Sequence, residues 1–291
     1  MTGAPLLIAQ ISDLHIKSAG ELAYQQVDTA AALKRCIMHL NGMRPRPAMV
    51  VTSGDLVDGG QTEEYAHLKR LLAELALPLV AIPGNHDARE PMRRAFPNQP
   101  YAQSKGPMNF DIAVGPLDLI MIDSSVAGQD HGAIEDETLA WLQATLSLSP
   151  KRPALLFVHH PPFATGIRYM DAMNLQNAAD LATILRRHPR ARMIACGHVH
   201  RAIHTQFAGR AASICPAPNH AVALDLSLEP APALISEPPG IHLHAWFDGS
   251  DYGDVVTHLV PIGTFGGPRP FDEAETKADT GARSHQRGLS P

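Results

Sequence analysis

The chain has 291 residues, 45% of them hydrophobic, with a formal net charge of −5. That is enough apolar material for one large core, or for a core with an appendage. The acidic balance gives no general basic field for nucleic acid, no apolar run approaches a membrane span, and three scattered cysteines without a CxxC argue against a zinc ribbon.

Residues 6–11 form an apolar run that predicts a strand buried on both faces, leading into Ser12-Asp13-Leu14-His15. So early a strand, without a basic region and apolar core before it, predicts no signal peptide. Together with the cysteine usage this points to a reducing, cytoplasmic setting. Loop 16–26 carries Lys17, Glu21 and Tyr24 and is placed to overhang the strand end. Asp28 reads as an N-cap, with Ala31, Leu33, Ile37, Met38 and Leu40 as the apolar face of a helix that Gly42 and Pro45 stop.

A second strand, 48–52, runs into Ser53-Gly54-Asp55, and the loop continues to Asp58-Gly59-Gly60. Thr62 is expected to cap a helix over 63–75 with Tyr65, Leu68, Leu71, Leu72 and Leu75 inward. A third strand, 79–82, passes through Pro83 into Gly84-Asn85-His86-Asp87. Strand alternating with helix predicts right-handed βαβ units. A short helix over 91–96, a hairpin of 109–114 with 117–122 around Gly115-Pro116, and a helix over 135–148 with an acidic first turn come next.

The fourth strand, 154–158, runs into His159-His160-Pro161-Pro162. Loop 161–175 carries Arg168, Tyr169, Met170 and Asp171, and a helix over 176–188 stops at Pro189. The fifth strand, 192–196, runs into Gly197-His198-Val199-His200. Beyond His204, residues 205–215, 220–226, 241–247 and 254–262 are strand-like, interrupted by proline-rich 229–240, and read as a second, mostly antiparallel sheet. From Gly266 few apolar residues remain, which predicts a disordered tail.

Five apolar runs thus each end in His, Asp or Asn. In open α/β sheets, ligands collect just beyond the carboxyl ends of such strands. One fold holding all five gathers Asp13, His15, Asp55, Asn85, His86, His159, His198 and His200 in one cleft. Asp13 and His15, two apart, point to the same side and can chelate one cation, and His198 and His200 repeat that spacing. Asp55 has two oxygens and can bridge two metals, while Asn85 adds an oxygen without charge. Oxygen and nitrogen donors without thiolate suit Mn, Fe, Co or Zn rather than Mg or a structural zinc. Two such ions roughly 3.5–4 Å apart lower the pKa of a shared water and clamp phosphoryl oxygens. His86, next to a ligand, is then placed to steady the transferring group or protonate the leaving alkoxide. Each motif alone has an ordinary explanation as a turn or strand exit; five in succession do not. Asp58 is read as orienting a histidine, Asp87 as either part of the site or a cap of the following helix, His160 as packed or supporting, and Cys196 as a small buried residue.

The five motifs resemble those of the calcineurin-like binuclear metallophosphoesterases, over about residues 5–205. Asp13-Leu14-His15, Gly54-Asp55-Leu56-Val57-Asp58, Gly84-Asn85-His86-Asp87, His159-His160-Pro161-Pro162 and Gly197-His198-Val199-His200 carry the resemblance. Gly20 to Tyr24, Ile122-Asp123-Ser124-Ser125, Met170-Asp171 and the segment from Cys215 to His220 are similar to class III cyclic nucleotide phosphodiesterases, especially bacterial glycerophosphodiesterases. The resemblance implies an α/β, four-layer sandwich of two mixed β-sheets flanked by helices, with a small C-terminal β cap region. It implies a first metal on Asp13, His15 and His200, a second on Asn85, His159 and His198, and Asp55 as the bridge. It gives His86 a phosphate contact and His220 a substrate contact.

The expected organisation is a catalytic core over 1–204, remaining strands with a cap and oligomer contact over 205–265, and a tail over 266–291. The expected activity is hydrolysis of small phosphodiesters, glycerophosphodiesters or 3',5'-cyclic nucleotides, by a hydroxide bridging two divalent or trivalent transition metal ions. The expected partners are that substrate and further copies of the chain, with no membrane. The alternatives are a phosphomonoesterase or phosphoprotein phosphatase, then a nuclease or a non-catalytic scaffold.

Overall fold

The structure is a computed structural model that describes residues 4–249, 255–267 and 269. Leu6–Ile11 (β1), Met49–Ser53 (β2) and Leu79–Ile82 (β3) are parallel neighbours, connected by the helices Thr29–Gly42 (α1) and Thr62–Leu72 (α2). Their apolar runs are buried because helices cover one face and a second sheet covers the other. Asp28 caps α1 as expected, its carboxylate accepting from the Ala31 N–H at 2.8 Å. Ala32, Leu33, Cys36, Ile37 and Leu40 form the inner face of α1. Met38, expected there, is 74% exposed, because it falls off the stripe that Leu33, Ile37 and Leu40 define.

The second helix begins after Gln61, so Thr62 lies in its first turn rather than capping it. The Glu64 carboxylate instead accepts from the Gln61 and Gly59 N–H groups, at 3.0 and 2.9 Å. The short helix Arg89–Ala95 (α3) packs beside α2.

Phe110–Val114 (β4) and Leu117–Ile122 (β5) form the expected hairpin. After Asp136–Leu148 (α4) come Ala154–Val158 (β6), Arg168–Asp171 (α5), Ala178–Arg187 (α6) and Ala191–Cys196 (β7). The run over 205–215 is two strands, Ile203–Phe207 (β8) and Arg210–Ile214 (β9), because Ala208 and Gly209 turn the chain with φ of 50° and 75°. The run over 220–226 shrinks to Ala221–Val222 (β10), paired with Leu234–Ile235 (β11). Gly240–Trp246 (β12) and Val255–Pro261 (β13) complete the described strands.

These elements give two large mixed sheets flanked by helices. The strand orders are β13-β12-β1-β2-β3 and β4-β5-β6-β7-β9-β8. Apart from the small two-stranded β10–β11 sheet, the region after His204 therefore does not build a sheet of its own. Its strands finish both sheets: β9 pairs with β7, and β12 runs antiparallel to β1. The physical reason is the edge of β1. Its βαβ crossover fills only one side, and β12 supplies partners for the other row of N–H and C=O groups. Apart from residues 266, 267 and 269, the tail expected from 266 lies outside the described residues.

One apolar core lies between the two sheets and under α1 and α2. A second lies between the six-stranded sheet and α4 and α6. The seam between the sheets also contains polar groups. The buried Gln10 amide on β1 donates to Ser53 Oγ at 2.8 Å and to the Cys196 carbonyl at 2.9 Å, while its oxygen faces His244 Nε2 at 3.0 Å. It ties β1, β2 and β12 to the end of β7 in the other sheet. Beside it, His242 is fully buried with neither ring nitrogen hydrogen-bonded, stacked on His204 at 5.1 Å.

Burial, reinforced by the neighbouring His244 and His204, lowers His242 to about 2. Burial, with His204 beside it, lowers His244 to about 3. Both stay neutral in the folded protein, whereas in the unfolded chain they take up protons below pH ~6.5. Stability is therefore full above pH ~6.5 and falls as the pH drops toward the folded-state values. His242→Leu is expected to reduce the fall between pH 6 and 4 by about 1.4 kcal/mol per pH unit. Urea denaturation at several pH values reads it, and an unchanged slope contradicts it.

Candidate metal centre

The carboxyl ends of β1, β2, β3, β6 and β7 meet at one place, although these strands belong to two different sheets. The turns that achieve this are unusual. Eight non-glycine residues among those described have positive φ, and five of them are Asp13, His15, Asp55, His198 and His200. Side chains rarely adopt this left-handed region, because Cβ crowds the backbone. Reciprocal bonds hold the turns there. The Asp13 and His15 N–H groups donate to the Gly54 and Asp55 carbonyls, both at 3.0 Å, and the His198 N–H donates to Asp13 Oδ1 at 2.9 Å.

Two glycines permit the close approach. A Cβ on Gly84 would collide with the Asp55 carboxylate and come within 2.8 Å of His159 Nε2. One on Gly197 would collide with Ser12 Oγ and lie 3.0 Å from Asp13 Oδ2.

All nine residues expected to form the site come together. His15 Nε2 and His200 Nε2 face each other at 3.2 Å, and His200 Nε2 lies 3.5 Å from Asp13 Oδ1. Asn85 Oδ1 lies 3.2 Å from His159 Nε2 and 3.1 Å from His198 Nδ1. Between these two groups, Asp55 Oδ2 is 3.6 Å from His15 Nε2 and 3.3 Å from His159 Nε2. Bonds on the far side of the rings leave the facing nitrogens free. His15 Nδ1 donates to Asp58 at 3.2 Å and His159 Nδ1 to the Ser53 carbonyl at 2.8 Å, so each Nε2 is turned toward the cluster.

The protein's own charges do not settle this cluster. Burial raises the Asp13 carboxyl to about 6, even with His159 beside it. At His159, burial opposes the charge, but the Asp55 carboxylate outweighs it and raises the imidazole to about 9. Burial, with the charge of His159, lowers His198 to about 3. Buried carboxylates and converging imidazoles suit added positive charge, and the donor set fits metal ions. Three-residue groups such as Asp13–His15–His200 and Asp13–Asp55–His159 have their donor atoms within 4.8 Å of one another.

A cleft of about 470 Å³ opens over the cluster. His86 sits at its floor, its Nδ1 donating to the Asp58 carbonyl at 2.7 Å. His220 lines the wall, its ring 4.7 Å from His200 and 5.2 Å from Tyr24. Asp58 receives both His15 and Lys17, the latter at 2.9 Å. Asp87 is not the cap of α3, which begins after Ala88. Its carboxylate accepts from the Leu56 and Gly84 N–H groups, both at 3.0 Å, and from the Tyr65 hydroxyl at 2.8 Å, locking two loops of the cluster together.

His160, read from sequence as packed or supporting, groups with His159 and His198, and its Nδ1 lies 2.8 Å from Ser124 Oγ. Sequence reasoning missed the outer wall: Asp130, Met173, Val222 and residues 232–234. It also missed Asn219, whose amide donates to the Asp13 carbonyl at 2.9 Å. The only sequence signal for that wall is proline-rich 229–240, which reads as an interruption.

Two stacked mixed sheets with a His/Asp cluster able to bind metals at their strand ends define a metallophosphoesterase. The Calcineurin-like phosphoesterase family matches residues 6–202, and the chain belongs to that family. The glycerophosphodiester phosphodiesterase GpdQ of Enterobacter lignolyticus is 34% identical over 274 residues, covering 92% of this chain and 95% of its own. The 3',5'-cyclic adenosine monophosphate phosphodiesterase CpdA of Pseudomonas aeruginosa is 31% identical over 205 residues, covering 70% of this chain and 73% of its own. A dimetal phosphatase from Danio rerio shares the fold, with a TM-score of 0.60 at 14% identity, over 90% of this chain and 100% of that one.

Gly84→Ala moves Asp55 or His159 without removing a donor. It is expected to weaken Mn²⁺ binding by about tenfold or more, read by titration calorimetry on chelator-treated protein. Unchanged affinity contradicts the close-approach argument.

Proposed function

We propose that this chain hydrolyses small phosphodiesters with two transition metal ions. Asp13, His15 and His200 would hold one ion, Asn85, His159 and His198 the other, with Asp55 between them. The observation that carries the reading is the meeting of these seven donors under one cleft. When bound, the ions supply Lewis acidity toward phosphoryl oxygens and activate water. The donors, without thiolate, favour Mn, Fe, Zn or Co.

The chain's own residues supply the rest. The bond from His86 Nδ1 to the Asp58 carbonyl fixes its ring and leaves Nε2 for the phosphate oxygen or the leaving alkoxide. His220, held between Tyr24 and His200, is the second substrate contact. Among the described residues no lysine or arginine lines the cleft to favour a monoester dianion. The apolar wall instead has room for a second ester arm. Glycerophosphodiesters and 3',5'-cyclic nucleotides, the substrates named for the similar proteins, are the candidates.

We read residues 1–204 as the catalytic core and 205–265 as its completion, because the latter supplies most of β8, all of β9, β12 and β13, and part of the cleft wall. Among the described residues no helix is long and apolar enough to cross a membrane. The buried free thiols Cys36, Cys196 and Cys215 suit a cytoplasmic setting. The edge strand β13 exposes Val256 and Leu259, which suits a contact between copies. Leu259→Arg is expected to lower the mass measured by analytical ultracentrifugation, and a monomeric wild type contradicts this contact.

Hydrolysis of bis(p-nitrophenyl) phosphate with Mn²⁺ is expected to exceed that of p-nitrophenyl phosphate by about tenfold or more. Chelation should abolish it, and His86→Ala should lower kcat by roughly 10²–10⁴. Monoester preference, or full activity in Asn85→Ala, would overturn the proposal.

A further inference from the structure

Lys17 follows the Asp13-Leu14-His15 motif by two residues, and the fold turns its side chain back toward that motif. The Ile16 N–H donates to the Leu56 carbonyl at 3.2 Å, and the Asp58 N–H donates to the Ile16 carbonyl at 3.3 Å, so loop 16–26 starts alongside the loop of Asp55. His67 Nδ1 donates to the Lys17 carbonyl at 2.8 Å, which ties the lysine's backbone to α2. The side chain, 25% exposed, ends beside two carboxylates: Nζ lies 2.9 Å from Asp58 Oδ2 and 4.0 Å from Glu64 Oε1. Among the described residues no other lysine or arginine pairs with either carboxylate.

The contact continues into the histidine cluster. Asp58 gives one oxygen to Lys17, and its other, Oδ1, lies 3.2 Å from His15 Nδ1. Lysine, carboxylate and imidazole thus form one chain of contacts that ends at the cluster. A carboxylate on the outer nitrogen of a ligating imidazole makes that ring a stronger donor. An ammonium on the carboxylate's second oxygen opposes this, because it draws on the same negative charge. Lys17 is not needed to hold Asp58 in reach of His15. The Asp58 backbone is fixed by its bond to Ile16 and by its carbonyl, which accepts from His86 Nδ1 at 2.7 Å. What the lysine adds is therefore charge rather than shape.

We propose that Lys17 is a positioning residue for the first ion, acting through Asp58 to moderate the donation of His15. This rests on the reading above in which Asp13, His15 and His200 hold that ion. The arrangement lowers the affinity of the site for its ion and leaves more Lewis acidity for the phosphoryl group.

The test is titration calorimetry of Mn²⁺ into the full chain after chelator treatment, which needs no substrate. The binding step that His200→Ala removes identifies the first ion. Lys17→Met, which keeps a chain of similar length and removes the charge, is expected to tighten that step by about tenfold. Lys17→Arg, which keeps the charge, should leave it within about twofold of wild type. Asp58→Asn should weaken the step by about tenfold or more, and adding Lys17→Met to Asp58→Asn should bring little of the tightening seen in wild type. A lysine that only supported its loop would give the opposite sign, weaker binding in Lys17→Met. Unchanged or weaker binding in Lys17→Met, equal tightening in Lys17→Arg, or the same tightening in the Asp58→Asn background overturns this assignment and leaves the diesterase reading standing. Absence of Mn²⁺ binding by the wild type overturns both.

Discussion

Five chain segments must bring carboxylates, imidazoles and an amide to within hydrogen-bonding distance in a buried space. Nothing in those segments favours this by itself. Buried like-charged groups repel, desolvation opposes their ionised forms, and five backbones sit in a region that side chains avoid. The arrangement exists because two sheets hold the segments from below. Once the strands are paired, the turn that follows each strand has few directions left. The donors then face one another because the scaffold has already fixed their positions.

The scaffold solves this with small and polar groups as well as apolar mass. Gly84 and Gly197 allow loops to pass where a methyl group would strike a carboxylate or a hydroxyl. The Gln10 amide links three strands of one sheet to the end of β7 in the other, just beneath the donor loops. Asp87 and Asp58 do similar work beside the donor loops, each tying separate loops through one carboxylate. A buried polar group with every partner present specifies position better than an apolar one, because any shift leaves a group unpaired. His242 has no such partners at either ring nitrogen, and it makes the seam sensitive to acid.

The cleft divides into two chemistries. Its floor is histidine and carboxylate, suited to metal ions and an anionic centre. Its rim is tyrosine, methionine, proline and one aspartate, drawn from loop 16–26, loop 123–135, α5 and the β10–β11 pair. The floor comes from strand ends. The rim comes from connections, where a fold can vary what it accepts without disturbing what it does.

The sequence by itself determined the donors. Each follows an apolar run, and burial of that run fixes where the strand ends and the polar tip begins, a local relation that needs no knowledge of neighbours. It also determined most helices, through the period of residues such as Leu33, Ile37 and Leu40. The tertiary structure decided what depends on distant pairing. β1, β2 and β3 entered one sheet while β6 and β7 entered another, and the strands after His204 were shared between them to fill open edges. It placed Met38 outside, and it turned proline-rich 229–240 from an apparent interruption into part of the cleft wall. Hydrogen bonds across a sheet and contacts across a cleft join residues a hundred or more positions apart, and no local pattern records which of them will meet.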